Sequence, residues 1–200
     1  MVSGPMPVTE QPKWKYVSID TETLGLDADY CDIIEVGAVL DDLVTPLDQL
    51  PRFQTYVTKD DNRYRGEIYA MMMNAAIIER IAKRTPGYNY TPGDCIDDMF
   101  SDWLRSHGIE KAVVAGKNFA GFDLKFLQKI GFGQKTKFYH RILDPGSMFY
   151  NSLTDSVPPD LKECLRRAGI NKEIAHGAVE DALDVISCIR YKNVIPPMAD

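Results

Sequence analysis

The sequence predicts an α/β domain built on a mixed sheet, and three observations carry that reading. Three strand-like apolar runs follow one another before any strong helical period appears. Strands and helices then alternate over the rest of the chain, which adds parallel strands beside an antiparallel meander. The chain has 200 residues, 44% of them apolar and 26% charged, which suffices to bury a full core.

Residues 1–13 hold Pro5, Pro7 and Pro12 among small polar residues and are expected to be a flexible lead-in, which leaves 14–195 as one domain. Trp14 to Asp20, Ile33 to Leu40 and Phe53 to Thr58 are the first three strands, and the turn-rich stretches between them are short enough for a meander. Ile77, Ile78, Ile81 and Ala82 form a stripe at helical spacing that Pro86-Gly87 ends. A clearer stripe runs through Ile96, Met99, Phe100, Trp103, Leu104 and His107, with Asp94 as its expected cap and Gly108 as its stop. Ala112 to Ala115 is a short buried strand, and the spacing predicts a helix over 119–130 that ends at Gly131. Arg141 to Asp144 is the fifth strand, stopped by Pro145-Gly146. Asp160 caps a further helix, with Glu163 three residues on and Gly169 past its end; the last helix spans about 178–192.

A net charge of −6 argues against binding long nucleic acid by non-specific phosphate neutralisation. It leaves room for phosphate chemistry in which bound metal ions supply the positive charge. No apolar run reaches membrane-spanning length and the first residues lack a basic-then-apolar signal, so the expected setting is cytoplasmic, with no membrane partner. Cys31, Cys95, Cys164 and Cys188 are widely spaced with no C-x-x-C, the pattern of reduced thiols.

Asp20 and Glu22 close the first apolar run, Tyr16 to Ile19, two residues apart. At that spacing on a strand both carboxylates point to one side, an arrangement that is costly unless a cation lies between them. A hard divalent ion, Mg²⁺ or Mn²⁺, takes such oxygen ligands. Asp123 falls in the apolar stripe of Phe119, Phe122, Phe126, Leu127 and Ile130, and Asp181 among Ala178, Ala182, Val185 and Ile189. One buried aspartate is ordinary structure; four inward-facing acids are economically explained by a shared pair of ions. His176 precedes Asp181 by five residues with Gly177 beside it, and an imidazole there suits a general base near neutral pH. His107 belongs to a core stripe and His140 to a basic stretch, so neither is assigned to chemistry.

Asp20-x-Glu22, Asn118-x-x-x-Phe122-Asp123 and His176-x-Ala178-x-x-Asp181 resemble, in order, the three motifs of the DEDDh branch of the DnaQ-like 3′→5′ exonucleases. Ile33 to Ala38 looks like the second strand of that family, and the resemblance covers roughly 14–190. It implies a ribonuclease H-like fold, with a central five-stranded sheet made of a three-stranded antiparallel meander plus two parallel strands. It further implies that Asp20, Glu22, Asp123 and Asp181 hold two Mg²⁺ or Mn²⁺ ions, that His176 takes the proton of the attacking water, and that nucleoside 5′-monophosphates leave the 3′ end of single-stranded DNA or RNA. Thr23, Leu24, Gly25 and Leu26 would meet the terminal sugar and base, and Asn118 and Phe122 complete the substrate set, Asn118 chiefly by fixing the loop before Asp123.

Two rivals stand beside this reading: a non-catalytic nucleic-acid-binding module of the same fold, and a proofreading-type subunit of a larger complex. A homodimer, or docking to a polymerase or repair partner, stays open. The choice between DNA and RNA turns on contacts to the 2′-hydroxyl. Met71 to Asn74 is either core filler or a cover for the nucleotide pocket. Lys125, Lys129, Lys135, Lys137 and Arg141 form a basic interval in an acidic chain, a guide for the strand or a solvated surface.

Overall fold

The Ile33 to Asp41 run, apolar almost throughout, forms a strand buried along its whole length, as a strand covered on both faces must be. In this computed structural model the described residues are 14–172 and 177–193. The strands in chain order are β1 (Tyr16–Thr23), β2 (Ile33–Asp41), β3 (Arg52–Thr58), β4 (Tyr90–Pro92), β5 (Ala112–Ala115) and β6 (Phe138–Leu143). β1, β2 and β3 make the expected antiparallel meander, and β5 and β6 add in parallel on the far side of β1.

The sheet order is β4-β3-β2-β1-β5-β6, six strands where five were expected. The extra one, β4, is three residues pairing in parallel with the edge of β3. It ends in Pro92, which an edge position tolerates because no ladder bond is asked of its nitrogen. So short a segment carries no period.

The helices are α1 (Ile68–Met73), α2 (Ala75–Lys83), α3 (Ile96–Ser106), α4 (Asp123–Lys129), α5 (Pro145–Phe149), α6 (Leu161–Arg167) and α7 (Ala178–Asn193). α7 lays Val179, Ala182, Val185, Ile186 and Ile189 on one face of the sheet, against Tyr16 and Val39. α3 and α4 cover the other face around Val17, Ile19, Val36, Phe100 and Phe126. Ile77 and Ile81 of α2 close over Leu24, Ile34 and Tyr56.

α7 is pinned near both ends. At its start a Cβ on Gly37 would come within 2.4 Å of the Ala178 carbonyl carbon, so only glycine lets the helix touch β2 here. Towards its other end the Arg190 guanidinium pairs with Asp41, a fully buried carboxylate that also accepts from Tyr16 Oη. Burial, then the Asp41 hydrogen bond, push the Tyr16 hydroxyl well above its usual range.

Three local expectations are corrected. β1 runs three residues past Asp20, so Glu22 as well as Asp20 lies within the strand and not just past its end. Asp94 does not cap α3; it falls in a 3-10 turn over Gly93–Cys95, and the residue before the helix gives no side-chain cap. The segment before α4 is a turn, with Asn118 at φ +56 and its carbonyl accepting from the Gly121 and Phe122 nitrogens. Asp123 is therefore the first residue of α4, where a helix N-terminus favours an anion. The Asp160 cap holds, with its side chain accepting from Glu163 N at 2.8 Å.

Candidate metal centre

On β1 the alternation of side chains puts Asp20 and Glu22 on the face that α7 covers, and Thr21 on the other. Their cross-strand partners on β2 are Gly37 for Asp20 and Glu35 for Glu22. Because Gly37 lets α7 approach so closely, Asp181, in its first turn, is delivered to the same place. One ligand oxygen each from Asp20, Glu22 and Asp181 lies within 4.8 Å of the others. All three are half-buried, and no other grouping of this kind occurs among the described residues.

Asp123 approaches from the other side of β1. Its Oδ1 accepts from the Thr21 backbone nitrogen at 3.0 Å and from the Thr21 hydroxyl at 2.7 Å. The residue between the two strand carboxylates thus holds the third acid.

Four acids gathered around β1 resist ionisation. Burial, then Asp123, Asp181, Glu22 and Glu35, hold Asp20 well above the usual carboxylate range. Burial foremost, with Asp181 next, raises Glu22 to about 8, and burial with Asp184 raises Asp181 to about 7. Burial raises Asp123 to about 6, against the lowering effect of the Thr21 hydroxyl. Asp181 Oδ1 is buried with no hydrogen-bond partner among the described residues. An orphaned carboxylate oxygen facing two further carboxylates is a donor set that could hold a metal cation.

Two further residues, Glu35 and Asn74, belong to the surroundings of the site. Glu35, only 1% exposed, accepts from Gln54 Nε2 and more distantly, at 3.5 Å, from the Ala178 nitrogen at the start of α7. Within Ile33-Ile34-Glu35-Val36-Gly37-Ala38 its charge was the visible anomaly, a carboxylate inside a strand that must be buried. Asn74, between α1 and α2, donates from Nδ2 to the Thr23 carbonyl at 3.1 Å, and its hydrogen bond to Glu22 partly opposes the rise that burial imposes on that carboxyl. That contact fastens the Met71 to Asn74 stretch to the site. The methionines are not core filler throughout, since Met72 is 71% exposed.

The residues expected to meet substrate divide. Thr23 is buried, with its hydroxyl donating to the Gly25 carbonyl. Leu24 is 1% exposed and packs on Ile34 and Tyr56, whereas Leu26 is 78% exposed at the rim. Gly25, at φ +153, lies where a Cβ would meet Cys31 Sγ at 2.4 Å. Phe122 is half-buried before α4, its ring 5.1 Å from that of Phe126, and with Leu26, Gly121 and Lys125 it lines a groove of about 580 Å³. Asn118 is exposed, and its backbone nitrogen donates to Asp144 Oδ2 at 2.8 Å. Asp144 also caps its own turn by accepting from Gly146 N. His176 lies outside the described residues.

Much of the basic interval is internally committed. Lys129 donates to the Cys31 carbonyl, Lys135 pairs with Asp98, and Lys137 donates to the Gln134 carbonyl.

No protein-family model matches the chain, and no curated protein sequence matches it. Its architecture does match solved structures. An exonuclease I superposes with a TM-score of 0.63 at 13% identity over 88% of this chain and 40% of that one. E. coli exonuclease I in complex with a dT13 oligonucleotide gives 0.62 at 13% identity, over 89% and 40%. A moderately thermophilic exonuclease I from Methylocaldum szegediense gives 0.60 at 13% identity, over 88% and 39%. The chain has the ribonuclease H-like fold. It spans about two fifths of the length of these structures.

Proposed function

We propose that residues 14–195 form one exonuclease domain that removes nucleotides from the 3′ end of single-stranded DNA or RNA. The observation that carries this is the meeting of Asp20, Glu22 and Asp181 within 4.8 Å, with the orphaned Asp181 Oδ1 among them. The fold shared with exonuclease I, solved with a bound dT13 oligonucleotide, supports a single-stranded substrate.

Asp20, Glu22, Asp123 and Asp181 are the residues that would hold two Mg²⁺ or Mn²⁺ ions. When bound there, such ions would supply Lewis acidity that makes water easier to deprotonate and positive charge that offsets charge developing on the phosphate and leaving group. The chain itself does the rest. Thr21 aims Asp123, and the first turn of α7 carries Asp181 to β1. The proton of the attacking water passes to the imidazole of His176, assigned from its spacing to Asp181. Leu26 and Phe122, at the rim beside Lys125, offer apolar surface to an unstacked base.

The test is digestion of 3′- and 5′-labelled single strands of DNA and RNA with Mg²⁺, Mn²⁺ or EDTA, beside Asp20→Ala and His176→Ala. Stepwise, metal-dependent shortening from the 3′ end is expected, abolished in Asp20→Ala and slowed by about 10²-fold in His176→Ala. Binding of either polymer without shortening under any metal would make the chain a binding module. A mononucleotide product with its phosphate on the 3′ position would overturn the proposed chemistry.

A further inference from the structure

A row of paired residues crosses the sheet from the acidic site to its edge. Glu22 on β1 is opposite Glu35 on β2, Glu35 is opposite Tyr56 on β3, and Tyr56 is opposite Tyr90 on β4. At a strand spacing of about 4.8 Å, Tyr56 is about 10 Å and Tyr90 about 14 Å from β1. α2 lies alongside the outer part of this row. Arg80 donates to Tyr56 Oη at 3.0 Å and its guanidinium lies 5.2 Å from the centre of the Tyr88 ring. Arg84, one turn on, lies 5.2 Å from the centre of the Tyr90 ring. The acidic end of the row thus gives way to two stacked arginine–tyrosine pairs.

Neither arginine is in an ion pair among the described residues, whereas Lys129 and Lys135 both are. A guanidinium that lies on an aromatic ring commits one flat face to the protein and keeps its N–H edge for an acceptor. The acceptor with matching geometry is a phosphate, which takes two parallel N–H bonds. Tyr88, 38% exposed, adds a ring face on which a base can stack. Charge complementarity selects the occupant: a polyanionic strand leaving a centre of concentrated negative charge is drawn to unpaired positive charge.

We propose that Arg80, Arg84 and Tyr88 form a second contact for the single strand, gripping phosphates a few nucleotides upstream of its 3′ end. This rests on the exonuclease reading for the direction of the strand, though not for the contact itself. It gives an acidic protein a local hold on nucleic acid and makes activity depend on substrate length. A dinucleotide would fill the acidic site without reaching the strip.

The experiment measures binding and turnover separately. Fluorescein-labelled oligo(dT) long enough to span the row is titrated in EDTA by anisotropy over a range of salt, for the wild type, Arg80→Gln/Arg84→Gln, and the exposed pair Arg84→Gln/Tyr88→Ala. The dinucleotide pTpT is turned over in Mn²⁺ by the same proteins. The double-arginine variant should lose about tenfold in affinity, and its log–log salt slope should flatten by about 1.4, at about 0.7 per released contact. Turnover of pTpT should not change. Arg84→Gln/Tyr88→Ala leaves the Arg80 bond to Tyr56 intact; it guards against a folding defect and should flatten the slope by about 0.7. Unchanged affinity and slope in both variants would overturn the strip whatever the nuclease assay reads, as would equal losses on oligo(dT) and pTpT. Slopes that flatten as expected in a protein that hydrolyses neither substrate would keep the strip and remove the exonuclease reading alone.

Discussion

Thr21 gives both its backbone N–H and its hydroxyl to Oδ1 of Asp123, at 3.0 and 2.7 Å. Between two acids that face one side of β1, it orients a third that arrives from the other side. Thr21→Val keeps the shape and the backbone bond and deletes the hydroxyl. The loss should cost about 1 kcal/mol of stability and raise Asp123 further, because its ionised form loses a donor. Mn²⁺ affinity should fall by about 10-fold or more, as it does when a ligand's outer support is removed. Calorimetric titration of Mn²⁺ reads this directly, and equal affinities would show that the helix alone holds Asp123 in place.

The crowded acids make stability depend on pH in a particular direction. In the folded chain Asp123, Asp181 and Glu22 titrate near 6, 7 and 8. Unfolded, such groups titrate near 4. Between pH 4 and 8 the folded state therefore binds more protons, and stability falls as pH rises. Glu163 is depressed to about 2 and Asp155 lies below its usual range too, so both act below this window. Thermal melts in EDTA should move down from pH 5 to pH 8, and added Mn²⁺ should raise the melting temperature more at pH 8 than at pH 5. A shift from Mn²⁺ that is the same at both values would mean that the acids are already ionised without metal.

Those acids were legible as residues before they were legible as a place. The two-residue spacing of Asp20 and Glu22 put them on one face, and apolar neighbours at helical spacing marked Asp123 and Asp181 as anomalous. What brings them together was not legible. Gly37 reads as an ordinary strand residue until the position of α7 shows how little room there is. Glu35 was hidden because a continuous apolar run has no period to say which side it faces. β4 leaves no signal in the sequence, since three residues ending in proline cannot alternate. The apolar stripe at 119–130 hides the true start of α4, because the turn that begins with Asn118 at positive φ leaves the spacing of apolar residues unchanged.

Gly37→Ala tests whether helix and site are one unit. The added methyl would lie 2.4 Å from the Ala178 carbonyl carbon and 2.5 Å from the Val179 nitrogen, so the backbone of α7 must move. Gly37 has no positive φ, which makes the effect steric and not conformational. Overpacking of this kind costs about 1–3 kcal/mol. Because Asp181 travels with the helix, urea unfolding and Mn²⁺ affinity should worsen together. A variant with lowered stability and intact Mn²⁺ affinity would separate the helix contact from the metal centre.

Glu35→Gln decides whether the buried glutamate binds metal or only sets the field around it. Its carboxylate accepts from Gln54 and the Ala178 nitrogen, and its charge contributes to the raised values of Asp20, Glu22 and Asp181. A glutamine of the same shape can still accept from Gln54 while removing that charge. The site acids should then ionise at lower pH, so protons compete less with metal in acid. At pH 8, where competition is weak, a less negative site should bind Mn²⁺ slightly less well. The affinity curve against pH should therefore become shallower, held or improved at pH 6 and reduced by less than about 5-fold at pH 8. A ligand behaves differently, since its removal weakens binding at every pH. A uniform loss of about 10²-fold would place Glu35 among the ligands; a shallower curve assigns it to the field that keeps the acids protonated until an ion arrives.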